Sequence, residues 1–378
     1  MAKRVLIYSP AYLPLVGGAE LAVKELTDRL PDYNFDLVTA KIKPGLPKEE
    51  QIGRVMVYRL GLGWNLDKVW LALTGGRFGC QLHRHNNYHL VWSIMASYSG
   101  LAALNFKNRH NEVPLFLTLQ EGDDLVVVER KMKLAGRRFR QLFAKADYVQ
   151  TISHYLAQWA RRMGAIAKIE VVPNGVDLRT FDCQQQKLGH PVSKWTPGVQ
   201  VDIFTASRLV YKNGLDDLIK SLKFLPEDVN LRIAGAGPEE TRLKDLVKEL
   251  ALDTRVNFLG SLSSKQVAEE LARASVFARP SRSEGLGNSF LEAMAAGVPV
   301  VGTLVGGIPD FLAPGESGFA AEPDNPESIA DQIKFILDPA NQEKVWQVVN
   351  HARALVKQQY DWDKIALQIK EIFASLIE

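Results

Sequence analysis

The chain has 378 residues, 46% of them hydrophobic and 24% charged, with a formal net charge of +3. That length exceeds one ordinary core and suits two domains of about 150 to 200 residues each, and the composition excludes global disorder. The small net charge excludes a protein that coats nucleic acid and permits only a local basic patch.

The chain opens with Lys3 and Arg4 ahead of Val5-Leu6-Ile7-Tyr8, and the apolar run stops at Ser9-Pro10. This is too short for a secretion signal and reads as a first strand, Val5 to Ser9. No stretch approaches the ~18 apolar residues of a membrane span, so the protein is not expected to cross a membrane. Glu20 to Leu30 predicts a helix. Strand-like runs follow at Phe35–Thr39, Val55–Leu60, His89–Ile94, Leu115–Leu119, Tyr148–Ile152 and Ile169–Val172, with helical patterns between several of them. The alternation argues for parallel sheets covered on both faces. Between Phe181 and Val199 it pauses in a polar, irregular stretch with Gly189, Pro191, Pro197 and Gly198, which reads as a linker.

The alternation then restarts. Strands are expected at Val201–Ala206, Leu231–Ala234, Val256–Leu259, Val276–Ala278 and Pro299–Val301, and helices at Leu215–Leu225, Glu239–Leu250, Ser264–Ala274 and Asn288–Ala296. The two cysteines, Cys80 and Cys183, are far apart and have no CxxC or histidine cluster beside them. A disulfide scaffold or zinc site is therefore not expected, and a reducing, cytoplasmic setting is.

In open α/β sheets ligands sit at the carboxyl ends of the strands, so the loops there are where chemistry is sought. Residues 279–307 read RPSRSEGLGNSFLEAMAAGVPVVGTLVGG. A strand ends near Arg279-Pro280, and a small polar loop containing Gly285, Leu286 and Gly287 leads to a helix with Asn288 as its expected cap. The glycines let a ligand approach the backbone, and the helix N-terminus offers N–H groups to phosphate. Glu292, one turn inside the helix, is placed to accept hydrogen bonds from ribose hydroxyls, as acids do in dinucleotide folds. Glu284, in the loop, is placed to bind hydroxyls of a sugar attached to the diphosphate. A nucleotide sugar has hydroxyls at both ends of its diphosphate.

This segment resembles the signature of the family 4 retaining glycosyltransferases, an E-x7-E pair formed here by Glu284 and Glu292. Further matches run over nearly the whole chain: Gly17-Gly18-Ala19-Glu20, Pro173-Asn174-Gly175-Val176-Asp177, Ser207-Arg208-Leu209, Asn213-Gly214, Gly235-Ala236-Gly237-Pro238, Gly297 to Val301, and Gly306-Gly307-Ile308-Pro309. The resemblance implies an α/β chain of GT-B fold, two facing Rossmann-like domains with a deep interdomain cleft. Residues 1–185 would form the acceptor domain and 199–360 the donor domain, with a helix over about 361–378 packing back on the first. It implies that Glu292 holds the ribose and Glu284 the donor sugar, and that Arg208 and Lys212 neutralise the leaving diphosphate. The family's lysine stands where this chain has Asn213, so Lys212 comes one residue early. The backbone of Gly17 and Gly18 is expected at the donor phosphates.

Gln120 falls where the family often has a histidine beside the reacting carbon, and with Asp123 and His154 it forms the expected acceptor and sugar side. His154 has a second reading, as the cap of a helix. The implied activity is transfer of a hexose-type sugar from a UDP-, GDP- or ADP-sugar to an acceptor hydroxyl, with retention of configuration and without a metal or other cofactor. Glycolipid, polysaccharide or cell-envelope glycan synthesis is the expected setting. The alternatives are a GT-B epimerase or sugar-phosphate synthase, an NAD oxidoreductase, against which the missing third glycine at Glu240 counts, and a non-catalytic nucleotide-sugar binder.

Residues 129–145, ERKMKLAGRRFRQLFAK, carry seven Lys/Arg with Leu134, Phe139, Leu142 and Phe143 interleaved. They read either as a basic helix resting on an anionic membrane at the cytoplasmic face, where a glycan or lipid-linked acceptor would be met, or as a solvated helix packed on the core. No motif for nucleic acid accompanies them.

Overall fold

In the computed structural model, residues 3–15, 17–182 and 201–378 are described. The linker reading falls outside them except for Phe181 and Asp182, and so does Cys183. Two compact units result, Met1–Asn174 together with Trp362–Glu378, and Gly175–Asp361.

The first unit runs β1 (Lys3–Ser9), α1 (Gly18–Arg29), β2 (Tyr33–Ala40), β3 (Glu49–Ile52), β4 (Val55–Leu60), α2 (Asp67–Asn86), β5 (Leu90–Ile94), α3 (Tyr98–Lys107), β6 (Leu115–Leu119), α4 (Leu125–Lys131), α5 (Gly136–Lys145), β7 (Tyr148–Thr151), α6 (His154–Arg162) and β8 (Lys168–Val171). Its eight strands lie in the order β3-β4-β2-β1-β5-β6-β7-β8. All pairings are parallel except that of β3 with β4. Central strands such as LVWSI and LFLTL are buried on both faces, as a covered parallel sheet demands.

The second unit runs α7 (Leu178–Phe181), β9 (Val201–Ala206), α8 (Leu215–Ser221), β10 (Val229–Ala234), α9 (Glu240–Glu249), β11 (Val256–Gly260), α10 (Ser264–Leu271), β12 (Val276–Arg279), α11 (Asn288–Ala295), β13 (Val300–Thr303), β14 (Phe319–Ala321), α12 (Pro326–Leu337) and α13 (Gln342–Gln359). Its six parallel strands are ordered β11-β10-β9-β12-β13-β14. From β9 the chain builds outward through β10 and β11, then returns to lay β12 on β9's other side. The carboxyl edge of β9 and β12 is thus the topological switch point.

The units divide at Asn174, earlier than the expected 185. Gly175 to Asp182 belong to the second unit because the Val176 N–H donates to the Tyr360 carbonyl at 2.7 Å, and Asp182 pairs with Arg353 and with Lys357 (2.9 Å).

The last helix, α14 (Trp362–Ile377), belongs to the first unit. Ile365, Ile369 and Phe373 join a core with Val23, Leu26, Trp92 and Phe116. The Phe373 ring meets Tyr33, Trp92 and Phe116 edge-on, with centroids 5.4, 5.4 and 5.5 Å away. Asp363 pairs with Arg29 (2.6 Å) and Lys370 with Asp32 (2.5 Å). Phe373→Ala would open a cavity among three aromatic rings, and it is expected to cost about 3–5 kcal/mol in denaturant unfolding. A loss below about 1 kcal/mol would mean that α14 contributes little to this core.

Candidate functional site

In the second unit, four loops meet at the carboxyl edge. They are 207–214 after β9, 235–239 after β10, 280–287 after β12 and 304–307 after β13. The Arg282 N–H donates to the Lys212 carbonyl at 2.7 Å, and the Gly307 N–H to the Glu284 carbonyl at 3.1 Å. Leu209 accepts the Glu239 N–H at 3.0 Å. At Gly306, φ is +57° and any Cβ would strike the Glu284 carbonyl oxygen, so only glycine permits this approach.

Two arginines order the 280–287 loop. Arg279, the buried last residue of β12, donates to Glu284 Oε2 and to Ser289 Oγ, each at 2.7 Å. Its guanidinium lies over the Phe290 ring, 4.8 Å from the centroid. Arg282 reaches the other way. It donates to Asp216 Oδ1 (2.8 Å), to Asp217, to Asp324 (2.5 Å) and to the Tyr211 carbonyl (2.8 Å), and its plane sits 4.3 Å from the Tyr211 ring centroid. Burial lowers its pKa, but bonding to Asp216 and Asp324 wins and the charge is held firmly. Arg282 therefore ties the loop carrying Arg208 and Lys212 to the loop carrying Glu284.

Arg208 is exposed, and its side chain makes no ion pair among the described residues. Its carbonyl is held by Asn213 Nδ2 at 2.6 Å. The residue standing where the family has a lysine is thus a buried brace, and the neighbouring cation is the half-buried Lys212.

Helix α11 is capped by Gly287, at φ +104°, and not by Asn288, which is its first helical residue. A glycine cap supplies no side-chain oxygen, so the helix end is left to other partners. Gly285 and Leu286 are buried in the same turn. Glu284 is mostly buried against Arg279, a partnership the sequence reading did not foresee, although an arginine closing a buried strand signals it. Glu292 is half-buried, and its carboxylate accepts no hydrogen bond among the described residues. Burial pushes its carboxyl up to about 7 against the pull of Arg279.

In the first unit, Gly17 caps α1 and Gly18 is its first residue. The Glu20 carboxylate folds back over Gly17, so the helix N-terminus already faces an acid to which the sequence reading gave no role. Gln120 is buried after β6, and its Oε1 accepts from Asn174 Nδ2 at 3.2 Å. Beside it, Glu121 is fully enclosed and accepts the Ala96 N–H at 2.5 Å. Burial drives its carboxyl up to about 7 despite this and other backbone bonds. Its signal was an acid directly at a strand's carboxyl end. Asp123 pairs with Lys131 at 3.7 Å, and Asp124 caps α4. His154 is exposed and starts α6, but the capping oxygen is that of Ser153, which corrects the capping reading of the histidine.

The basic segment 129–145 is broken into α4, a short turn at Lys133–Ala135 and α5. Phe139, Leu142 and Phe143 are buried, with Phe143 edge-on to Trp159 at 5.3 Å, so the apolar side of α5 faces the protein. Among the described residues, His83, His110 and Glu112 lie close enough to share a cation. His83 Nδ1, however, already accepts the Tyr88 N–H at 3.0 Å, which leaves the proton on Nε2 and makes that nitrogen a donor.

Between pH 4.5 and about 7 the folded protein holds protons on Glu121 and Glu292 that the unfolded chain has released. Their contribution to stability is full below the lower value and is lost as pH rises through the upper one. Glu121→Gln is therefore expected to flatten the fall in melting temperature between about pH 5 and pH 8. An unchanged slope would contradict the burial of an ionisable carboxyl there.

Comparison with known proteins completes the picture. Residues 17–175 match a family model described as glycosyl transferase 4-like domain, and residues 194–354 one described as glycosyl transferases group 1. The N-acetyl-alpha-D-glucosaminyl L-malate synthase of Bacillus anthracis is 30% identical over 375 residues, 96% of this chain and 95% of that one. A GDP-mannose-dependent alpha-(1-6)-phosphatidylinositol monomannoside mannosyltransferase of Mycobacterium tuberculosis is 28% identical over 251 residues, 64% of this chain and 65% of its own. A sucrose-phosphate synthase structure from Thermosynechococcus elongatus superposes with a TM-score of 0.84 over 99% of both chains at 22% identity, which shows a shared fold. With two parallel-sheet units and full-length similarity to such enzymes, the chain belongs to the family 4 glycosyltransferases and has the GT-B fold.

Proposed function

We propose that this glycosyltransferase takes a hexose-type sugar from a nucleoside-diphosphate sugar and passes it, with retention and without a metal, to a hydroxyl of a glycan or lipid-linked acceptor in the cytoplasm. The observation that carries the reading is Glu292, a half-buried carboxyl one turn inside α11 that no described protein group satisfies. Vicinal ribose hydroxyls are donors suited to it. The diphosphate would lie at the α11 N-terminus beside Gly285, Leu286, Gly287 and Asn288, with Arg208 and Lys212 supplying positive charge. Glu284, oriented by Arg279, would receive hydroxyls of the sugar. Gly17 and Gly18 are assigned to the phosphates as well, which requires Glu20 to turn aside. Gln120, Asp123 and His154 are assigned to the acceptor and sugar side.

In the proposed step the bond from the anomeric carbon to the phosphate oxygen breaks while the acceptor oxygen bonds to the same face. The acceptor's proton passes to the departing phosphate. Arg208, Lys212 and the helix amides stabilise the charge on the leaving group, which is the work a metal would otherwise do. No described helix is long and apolar enough to cross a membrane, so contact with a lipid-linked acceptor would be peripheral.

Thermal-shift screening with UDP-, GDP- and ADP-sugars is expected to give a rise of several degrees with one base. Glu292→Ala should abolish that rise while leaving the unliganded melting curve cooperative, and an unchanged nucleotide affinity would refute the ribose assignment. Arg208→Ala is expected to lower kcat by on the order of 10²–10³ with the fold intact. Turnover should persist in EDTA, and loss of transfer on chelation would end the metal-independent mechanism.

A further inference from the structure

The first unit carries an apolar surface that none of these loops uses. Between β4 and the first half of α2, Leu62 (78% exposed), Trp64 (69%), Leu66 (75%), Val69, Trp70 and Leu73 (68%) all present large side chains to solvent. Soluble proteins seldom gather so many without a partner.

The display is rigid. Buried Asp67 accepts the N–H groups of Leu62 (3.1 Å), Gly63 (2.6 Å) and Trp64 (3.0 Å). Burial would raise its pKa, but these bonds prevail and hold it below the usual carboxylate value. Gly61, at φ +110°, leaves room for that carboxyl where any Cβ would collide with it. The loop's polar atoms are thus turned inward and satisfied, and its side chains are turned out. From Leu66 the stripe continues along α2 at helical spacing through Val69, Trp70 and Leu73. Leu60, Leu62, Trp64, Leu66 and Trp70 also line a cavity of about 590 Å³.

Charge identifies the occupant. Lys43, Lys48 and Arg77 are exposed in the flanking segments and make no ion pair among the described residues. Of the nearby acids Asp67 is spent on backbone amides and Glu50 on Arg59 (2.8 Å), which leaves the exposed Glu49 beside Lys48 and a patch margin that stays net positive. Tryptophan and leucine tips ringed by unpaired cations match the boundary between anionic headgroups and acyl chains.

We infer that residues 60–77 dock the protein on an anionic lipid bilayer, with Leu62, Trp64 and Leu66 entering the acyl boundary and Lys43, Lys48 and Arg77 meeting headgroup phosphates. This places membrane contact on a different segment from 129–145, and it does not depend on the sugar-transfer reading.

The test is sedimentation of the full chain with phosphatidylglycerol-containing vesicles and with pure phosphatidylcholine vesicles, together with quenching of tryptophan fluorescence by lipids brominated in the acyl chain. The wild type is expected to bind the anionic vesicles, with salt-sensitive affinity, and to be quenched. The exposed-residue variant Leu62→Ser/Trp64→Ser/Leu66→Ser should fold normally and bind at least about tenfold more weakly. Lys43→Glu/Lys48→Glu should also weaken binding, whereas Arg137→Gln/Arg138→Gln/Arg140→Gln on α5 should not. The inference is overturned if the wild type stays in the supernatant, if the serine variant binds undiminished, if the α5 variant alone loses binding, or if the serine substitutions instead dissolve a dimer in solution. The ribose and most of the phosphate contacts are assigned to the other unit, and measuring nucleotide binding in parallel keeps a failure here distinct from a failure of the proposed reaction.

Discussion

The arrangement of the second unit's carboxyl-edge loops depends on one half-buried cation. The Arg282 guanidinium lies among Asp216, Asp217 and Asp324 and against the Tyr211 ring. Removing a charge from water is costly unless its partners are fixed in place, and a planar fork satisfied on several edges tolerates little displacement. The loops on which Arg208, Lys212 and Glu284 sit are thereby held in one mutual arrangement. Flexible loops would have to be ordered by each incoming substrate, whereas these are ordered in advance by protein charges.

Arg279, three residues earlier, does a different job. It neutralises Glu284 and steers its carboxylate, while its own position is set by the aromatic packing of Phe290 on Phe277 and Phe311. The short loop thus carries one arginine that joins it to a neighbouring loop, and the strand before it ends in another that aims its acid. Glu292, on the helix that follows, has neither kind of support, and its carboxyl is left close to the midpoint of its titration near neutral pH.

Much of this was legible in the sequence where the signal is local. Buried strands such as Leu115–Leu119 and Val55–Leu60 are continuous or alternating apolar runs, and they lie where those runs place them. β3, Glu49–Ile52, was not legible, because a polar edge strand buries little. α12 declares itself through Pro326 in its first turn and the spacing of Ile329, Ile333 and Ile336, yet it lies beyond the last strand that apolar runs pick out. The division at Asn174 is set by pairing of Val176 with the Tyr360–Asp361 segment, which composition does not reveal. For the candidate site, motifs singled out Arg208, Glu284 and Glu292, but the partners that orient their loops were hidden by distance in sequence. Asp216 is 66 residues from Arg282. The stretch 129–145 reads as one basic amphipathic helix, but the chain turns at Lys133–Ala135 and only 136–145 forms α5, whose apolar side meets Trp159.

The return of α14 to the first unit has a consequence for biosynthesis. A ribosome makes β1 to β8 before the second unit, yet the bed formed by Tyr33, Trp92 and Phe116 is covered by Phe373, which is made after that unit. The second unit, continuous in sequence, emerges whole before that helix does. The earlier-made half is then the later one to reach its final packing, with an aromatic trough left open while the second unit is made and available to chaperones that hold nascent apolar surface.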